Sequence, residues 1–167
     1  ENDISISVSE DDFFRTDISE NCDNYPMLWK LPCMRAFQSV VPVSIMDFYE
    51  SIGVTRDVAS RPDLSYYALR GLFSVKYYFD QVDVSNAITE TPELDLPGFV
   101  YEETENGFRR FRNTAYIPMG FTFDQYISED VWDATSESQR CPLLIRALVL
   151  SDEQVEKYGD WMKPITS

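Results

Sequence analysis

Arg109, Arg110 and Arg112, interleaved with Phe108 and Phe111, form the one concentrated positive feature of a chain with 14 Lys and Arg against 29 Asp and Glu. Guanidinium forks pair with phosphate and carboxylate oxygens, so this segment could grip an anionic headgroup or polymer. A local account competes. Across a hairpin closed at Asn106-Gly107 the same arginines face Glu102 and Glu103, and cross-strand ion pairs would occupy them. We favour the local account. Glu102, Glu103 and Glu105 could supply the two carboxyls of a glycoside hydrolase, but at a hairpin tip their spacing specifies no cleft and reads better as a solvated acidic face. Asp80, Asp83 and Asn86 offer oxygen ligands in a turn-prone loop without the glycine and bidentate glutamate of an EF-hand, so calcium is not expected. Trp29, Trp132 and Trp161 could stack on sugars; at this aromatic density core or interface positions are commoner. Arg109, Arg110, Arg112 and Trp132 are the candidate ligand contacts, and no catalytic residue, metal ligand or cofactor is assigned.

Histidine is absent from all 167 residues, which removes Ser-His-Asp and Cys-His nucleophile systems and histidine-based metal sites. Six scattered glycines build no phosphate cradle. A formal charge of −15 repels phosphate backbones and argues against nucleic acid or an anionic lipid surface as partner. It suits the outer side of a membrane, weakly, because cytoplasmic loops collect the Lys and Arg. No stretch approaches the roughly 18 apolar residues that cross a bilayer; the best, Val40 to Met46, is broken by Pro42 and Ser44. The start at Glu1 without Met or a basic and apolar leader suggests a piece of a longer chain whose targeting signal lies elsewhere. Cys22, Cys33 and Cys141 lack metal spacing; Cys22 and Cys33 could bridge, and the alternative is three reduced, partly buried thiols.

The elements that would position these residues follow from periodicity and turn chemistry. Residues 1–10 read as a flexible lead-in. Phe13, Phe14 and Ile18 mark a first strand, and Pro32 and Pro42 exclude a long helix in the stretch that follows. Ile45, Met46, Phe48, Tyr49 and Ile52 share a helical face, with Gly53 placed as a C-terminal cap. A second helix is expected from Ser60, with Pro62 in its first turn, to about Gly71. Phe73 to Phe79 reads as a central strand and Asp80 to Pro97 as an acidic loop with a short helix conceivable at Ser85 to Thr89. Gly98 to Arg112 reads as a hairpin, and Phe121 to Tyr126 as a further strand. Ser128 starts a helix, and Ser136 with Gln139 and Ser151 with Gln154 have capping-box spacing. Pro142 leaves Leu143 to Leu150 open between helix and strand. Gly159 closes the last helix, before Trp161 to Ser167 lead out.

Read in order, FFRTD, SVVPVSIMDFYESIGV, LRGLFSVKYYFD, FRRFRNTAYIPMGFTFDQYI and LLIRALVLS resemble the extracytoplasmic domain of the YfhO family. The family's Leu-Gly-Val-Lys-Tyr strand corresponds to Phe73, Ser74, Val75, Lys76 and Tyr77. Its more specific pattern, an aromatic and Asn, a gap, then Leu-Pro-x-Gly-Phe, is matched by Phe111, Asn113, Ile117, Pro118, Gly120 and Phe121. Arg112 stands where the family usually has an acid, and Ser74 replaces a glycine. The resemblance implies a polytopic bacterial membrane protein similar to glycosyltransferases that move sugars from polyprenyl-phosphate carriers onto envelope polymers such as lipoteichoic acid. In such enzymes the catalytic acid lies in a loop near the first transmembrane helices, outside this segment. Asn113, Pro118 and Gly120 would then be structural, stopping one strand and starting the next.

These readings converge on one α+β domain over residues 11–160, a mixed or antiparallel sheet with helices on one face. The expected role is accessory and non-catalytic, on the extracytoplasmic face of the cell membrane. The implied partners are the transmembrane part of the same chain and an anionic envelope polymer or glycolipid. A secreted or surface carbohydrate-binding module is the second class, and a carboxylate hydrolase the third.

Overall fold

Four strands form the first sheet of the computed structural model, which describes residues 13–35, 37, 39–55, 61–82 and 94–166. They are β1 (Arg15–Ile18), β2 (Val75–Gln81), β3 (Phe99–Glu105) and β4 (Phe108–Asn113), in the order β1-β2-β4-β3. β1 runs parallel to β2, and β4 antiparallel to both β2 and β3, so the sheet is mixed, as the α+β expectation required. The described chain divides into two compact units, the first holding this sheet with residues 1–42 and 56–119, the second holding 43–55 and 120–167.

Both faces of the first sheet are covered, which is why β2 reads as an unbroken β-branched and aromatic run and not as an alternation. On one face Phe79 and Phe108 pack with Ile18, Cys22, Trp29 and Leu31; on the other Tyr78 and Phe111 pack with Leu96. Trp29 meets Phe108 and Phe79 edge-on, at centroid separations of 4.9 and 5.6 Å. Each such buried ring contributes about 1.5–3 kcal/mol by area, with a further increment from edge-to-face geometry. The hairpin closes where the Asn-Gly pair predicts: Asn106 at φ 50° and Gly107 at φ 80° are both left-handed, the type I′ signature.

Two boundaries in this unit differ from expectation, and the stretch before Pro42 runs irregularly as expected. The strand expected from Phe73 begins at Val75, because Ser74 is left-handed at φ 56° and turns the chain before pairing starts. Between the first strand and Pro42 the chain is irregular apart from the single turn α1 (Tyr25–Leu28). The helix α3 (Tyr67–Leu72) starts well after Pro62, since the carbonyls of Pro62, Asp63 and Tyr66 are drawn onto the Arg70 guanidinium. The lead-in over 1–10 and the conceivable helix at 85–89 fall outside the described residues.

In the second unit, α2 (Val43–Ser51) ends as anticipated. Gly53 is left-handed at φ 76°, and the amides of Gly53 and Val54 return to Glu50 and Tyr49 at 3.0 and 2.9 Å. Then follow β5 (Gln125–Ser128), α4 (Glu129–Ala134), α5 (Glu137–Leu144), β6 (Leu148–Leu150), α6 (Asp152–Tyr158) and β7 (Lys163–Pro164). The three strands make a parallel sheet in the order β6-β5-β7 that the sequence did not announce. The strand expected over Phe121 to Tyr126 starts only at Gln125; Phe121 and Phe123 instead pack ring against ring at 5.2 Å. Residues 143–150 divide, helical through Leu144 with Pro142 inside the helix, then a strand from Leu148. Ser151 and Gln154 complete their capping box. Ser136 does not: its hydroxyl goes to the Gln139 side-chain carbonyl at 3.0 Å instead of accepting from the backbone. Gly159 is right-handed at φ −59° and continues into a single 3₁₀ turn, and Lys163 and Ile165 donate to Asp124 and Tyr126, pairing part of the 161–167 segment with β5.

Candidate functional site

β4 carries the three arginines on both sides of the sheet, and each meets a carboxylate of a neighbouring strand. Arg109 pairs with Asp80 of β2. Arg110 donates to Glu102 and lies 2.7 Å from Glu103, and its guanidinium also covers the Tyr77 ring at 5.2 Å. Arg112 donates to the other oxygen of Glu102 at 2.7 Å. Glu102 sits at the register shift between Tyr101 and Glu103, which lets its carboxylate span both guanidinium groups. Three positive charges are thus matched by three carboxylates of the same sheet. Contact with an anionic polymer would require a phosphate or carboxylate to displace these partners. Glu102 and Glu103 are likewise held on arginines.

Of the remaining candidates, Trp132 is half-buried on α4 with the Arg140 guanidinium 5.0 Å over its ring, and Arg140 is itself tied to the Ser51 carbonyl at 2.6 Å. Asp80 is engaged by Arg109, while Asp83 and Asn86 fall outside the described residues. Cys22 and Cys33 are thiols. Cys22 donates to Gln81 Oε1 at 3.1 Å, and Cys33 accepts from the Arg35 amide at 3.3 Å. Burial pushes the Cys33 thiol up to about 12, helped by the nearby Asp17 charge. Asn113 joins the end of β4 to the start of β2, donating to the Val75 carbonyl at 2.9 Å and accepting from Ala115 N. Val75 is fully buried, Lys76 lies over the rings of Phe14, Tyr77 and Tyr116, and Gly120 is left-handed at φ 91°. Pro118 is exposed in the same loop, just before Gly120 and the partly exposed Phe121.

The most unusual chemistry in the molecule lies at residues to which the sequence analysis gave no role. Asp17, Arg35 and Arg70 form a charged cluster in the interior of the first unit, Asp17 and Arg70 with no exposed surface. Arg70 Nε donates to Asp17 Oδ2 at 3.0 Å, Arg35 Nε donates to Oδ1 at 3.2 Å, and the Ile18 amide also donates to Oδ1. Arg70 reaches three backbone carbonyls besides. Beside this cluster lies a cavity of about 700 Å³, in whose wall Arg35 takes part with Tyr67, Tyr78 and Asp63. Burial raises the Tyr78 phenol, which therefore stays neutral and can donate. Positions 17, 35 and 70 are too far apart for a spacing motif, and Arg70, two residues from both Ala68 and Leu72, falls off the helical face those residues share, so periodicity gave no signal for it.

The model for "Bacterial membrane protein YfhO" matches residues 2–163. The chain belongs to the YfhO family. The match takes in both units and both motif segments, Phe73 to Tyr77 and Phe111 to Phe121, through which the resemblance was first drawn. No curated protein and no solved structure matches this YfhO-family chain. Among the described residues no helix is long and apolar enough to cross a membrane.

Proposed function

We propose that this chain is a non-catalytic, extracytoplasmic part of a polytopic membrane protein that transfers sugars from a polyprenyl-phosphate carrier onto a cell-envelope polymer of the lipoteichoic acid type. The observation that carries the reading is the membrane-protein family match across residues 2–163. Two features support the accessory role. The carboxylates best placed for acid–base work, Glu102 and Glu103, are held in ion pairs on an open hairpin, where a transferred sugar would find neither a free acid nor exclusion of water. An acidic surface also suits a domain that must stand off from an anionic membrane, leaving the arginine-bearing strand β4 as the face offered to polymer.

The test is made on the intact membrane protein in its own cells. Val40 is 84% exposed, so Val40→Cys should react with a membrane-impermeant maleimide added to whole cells. Reaction only after lysis would overturn the extracytoplasmic placement. Glu102→Gln and Glu103→Gln should leave the sugar content of the polymer unchanged; loss of that sugar with the domain still folded would overturn the accessory assignment.

A further inference from the structure

The single turn α1 has two unlike sides. Pro26 and Trp29 are buried, Trp29 against Phe79 and Phe108, whereas Met27 is 65% and Leu28 77% exposed. The turn is closed at its end by two backbone bonds, Leu31 N to the Pro26 carbonyl at 2.8 Å and Lys30 N to that of Met27 at 3.1 Å, the pair that defines a Schellman end. Lys30 occupies the left-handed position of that end, at φ 59°, where glycine is usual and a side chain is strained. Phe37, 52% exposed, is brought beside the turn by its amide, which donates to Asn24 Oδ1 at 3.2 Å. Apolar side chains are thus held out into water on an anchored knob, with a cation at its end.

Charge sets this stretch apart. From Asn24 to Met46 there is no Asp or Glu, in a chain that has 29 among 167 residues. Its two cations are Lys30 and Arg35, and Arg35 is buried on Asp17. The acid just before it, Asp23, is buried and held by Arg61. Among the described residues no carboxylate pairs with Lys30. The formal charge of −15 keeps such a domain as a whole off anionic lipid, so any contact with a bilayer must be made by a local surface of this kind.

We propose that α1 is a membrane-contact knob: Met27 and Leu28, with Phe37 beside them, enter the interfacial layer of the bilayer, and Lys30 meets lipid phosphate. Lipid is favoured over a protein partner by size. The three side chains expose on the order of 400 Å², about half of what one side of a standard protein interface buries. That area suffices for a chain already held at a bilayer as a membrane-protein family member, because little association entropy is left to overcome. The proposal rests on that family membership and not on sugar transfer or on the side of the membrane, so it stands or fails independently of both.

Fluorescence quenching tests it in the intact membrane protein, carried in nanodiscs of mixed phosphatidylethanolamine and phosphatidylglycerol. Leu28→Cys is labelled with an environment-sensitive fluorophore, and the unsubstituted protein, whose three thiols are buried or half-buried, gives the background. Nitroxide on the lipid acyl chains should quench the label at least about twofold, and aqueous iodide should quench it at least about threefold less than the free dye. Adding Met27→Asp, at an exposed position that leaves the core untouched, should remove the lipid quenching with the circular dichroism unchanged. Adding Lys30→Gly, which the left-handed turn takes more easily than lysine, should weaken insertion about fivefold in these discs and leave it unchanged in discs of phosphatidylcholine alone. Quenching by iodide and not by lipid would put the turn in water, and quenching by neither would put it against protein. Either result would overturn the proposal, as would lipid quenching that survives Met27→Asp or that Lys30→Gly leaves unchanged in the anionic discs.

Discussion

Asp17→Asn is the most informative single perturbation of this fold. The change preserves side-chain volume and an oxygen that can accept from the Ile18 amide and one arginine, and removes only the charge that two buried guanidinium groups share. Both guanidinium groups then lose the one carboxylate that pairs with them among the described residues, since the other partners of Arg70 there are neutral carbonyls and Arg35 Nη1 has none. Removing one partner of a buried pair costs about 3–5 kcal/mol, against a total stability of about 5–15 kcal/mol for a domain. At roughly 2–4 °C per kcal/mol for a chain of this size, the melting temperature should fall by about 10 °C or more. Urea unfolding followed by far-ultraviolet circular dichroism measures the loss directly, with Glu103→Gln as control, because an exposed pair contributes about 1 kcal/mol or less. A loss below about 1 kcal/mol for Asp17→Asn would refute the reasoning, since it would mean that water or a rearranged carboxylate reaches the arginines at little cost.

The Glu102 and Arg112 pair, with Arg112 44% exposed, should show a coupling of about 0.5 kcal/mol in a double-mutant cycle, shrinking as salt is raised; unfolding curves at two ionic strengths check both. Ser74→Gly should stabilise the chain by about 0.5 kcal/mol in the same assay, because relief of the left-handed serine outweighs the extra freedom that glycine gains on unfolding. Cys33, held up to about 12, should react with iodoacetamide at pH 8 about a thousandfold more slowly than an unstructured thiol. The raised value also destabilises the fold in alkali: the unfolded thiol gives up its proton near 9 and the folded one near 12, so this group's contribution is whole below pH 9 and is lost as pH climbs towards 12, readable as a falling urea midpoint absent in Cys33→Ala.

What the sequence made legible was whatever depends on neighbours in the chain. The Asn106-Gly107 turn, the Gly53 cap and the Ser151 capping box are local devices, and each forms as its residues require. Register then follows from the turn: once the hairpin closes at Asn106-Gly107, Arg110 and Arg112 must pass Glu102 and Glu103, so their ion pairs were readable as well. Elements whose limits depend on distant partners were not. α3 starts late because Arg70 claims the carbonyls before it, and Arg70 does so because it must be buried against Asp17, 53 residues away. The parallel sheet β6-β5-β7 is likewise assembled from segments of two to four residues, too short for any periodicity to register. The same reasoning accounts for the Arg35 cavity escaping notice: its members come from five separated stretches of chain, with no spacing in common. In an acidic chain, a search for clustered arginines finds those on the surface, where adjacent carboxylates satisfy them. The arginine with an unmet requirement is isolated in sequence, because its shortage of partners arises from the tertiary packing that withdraws it from water.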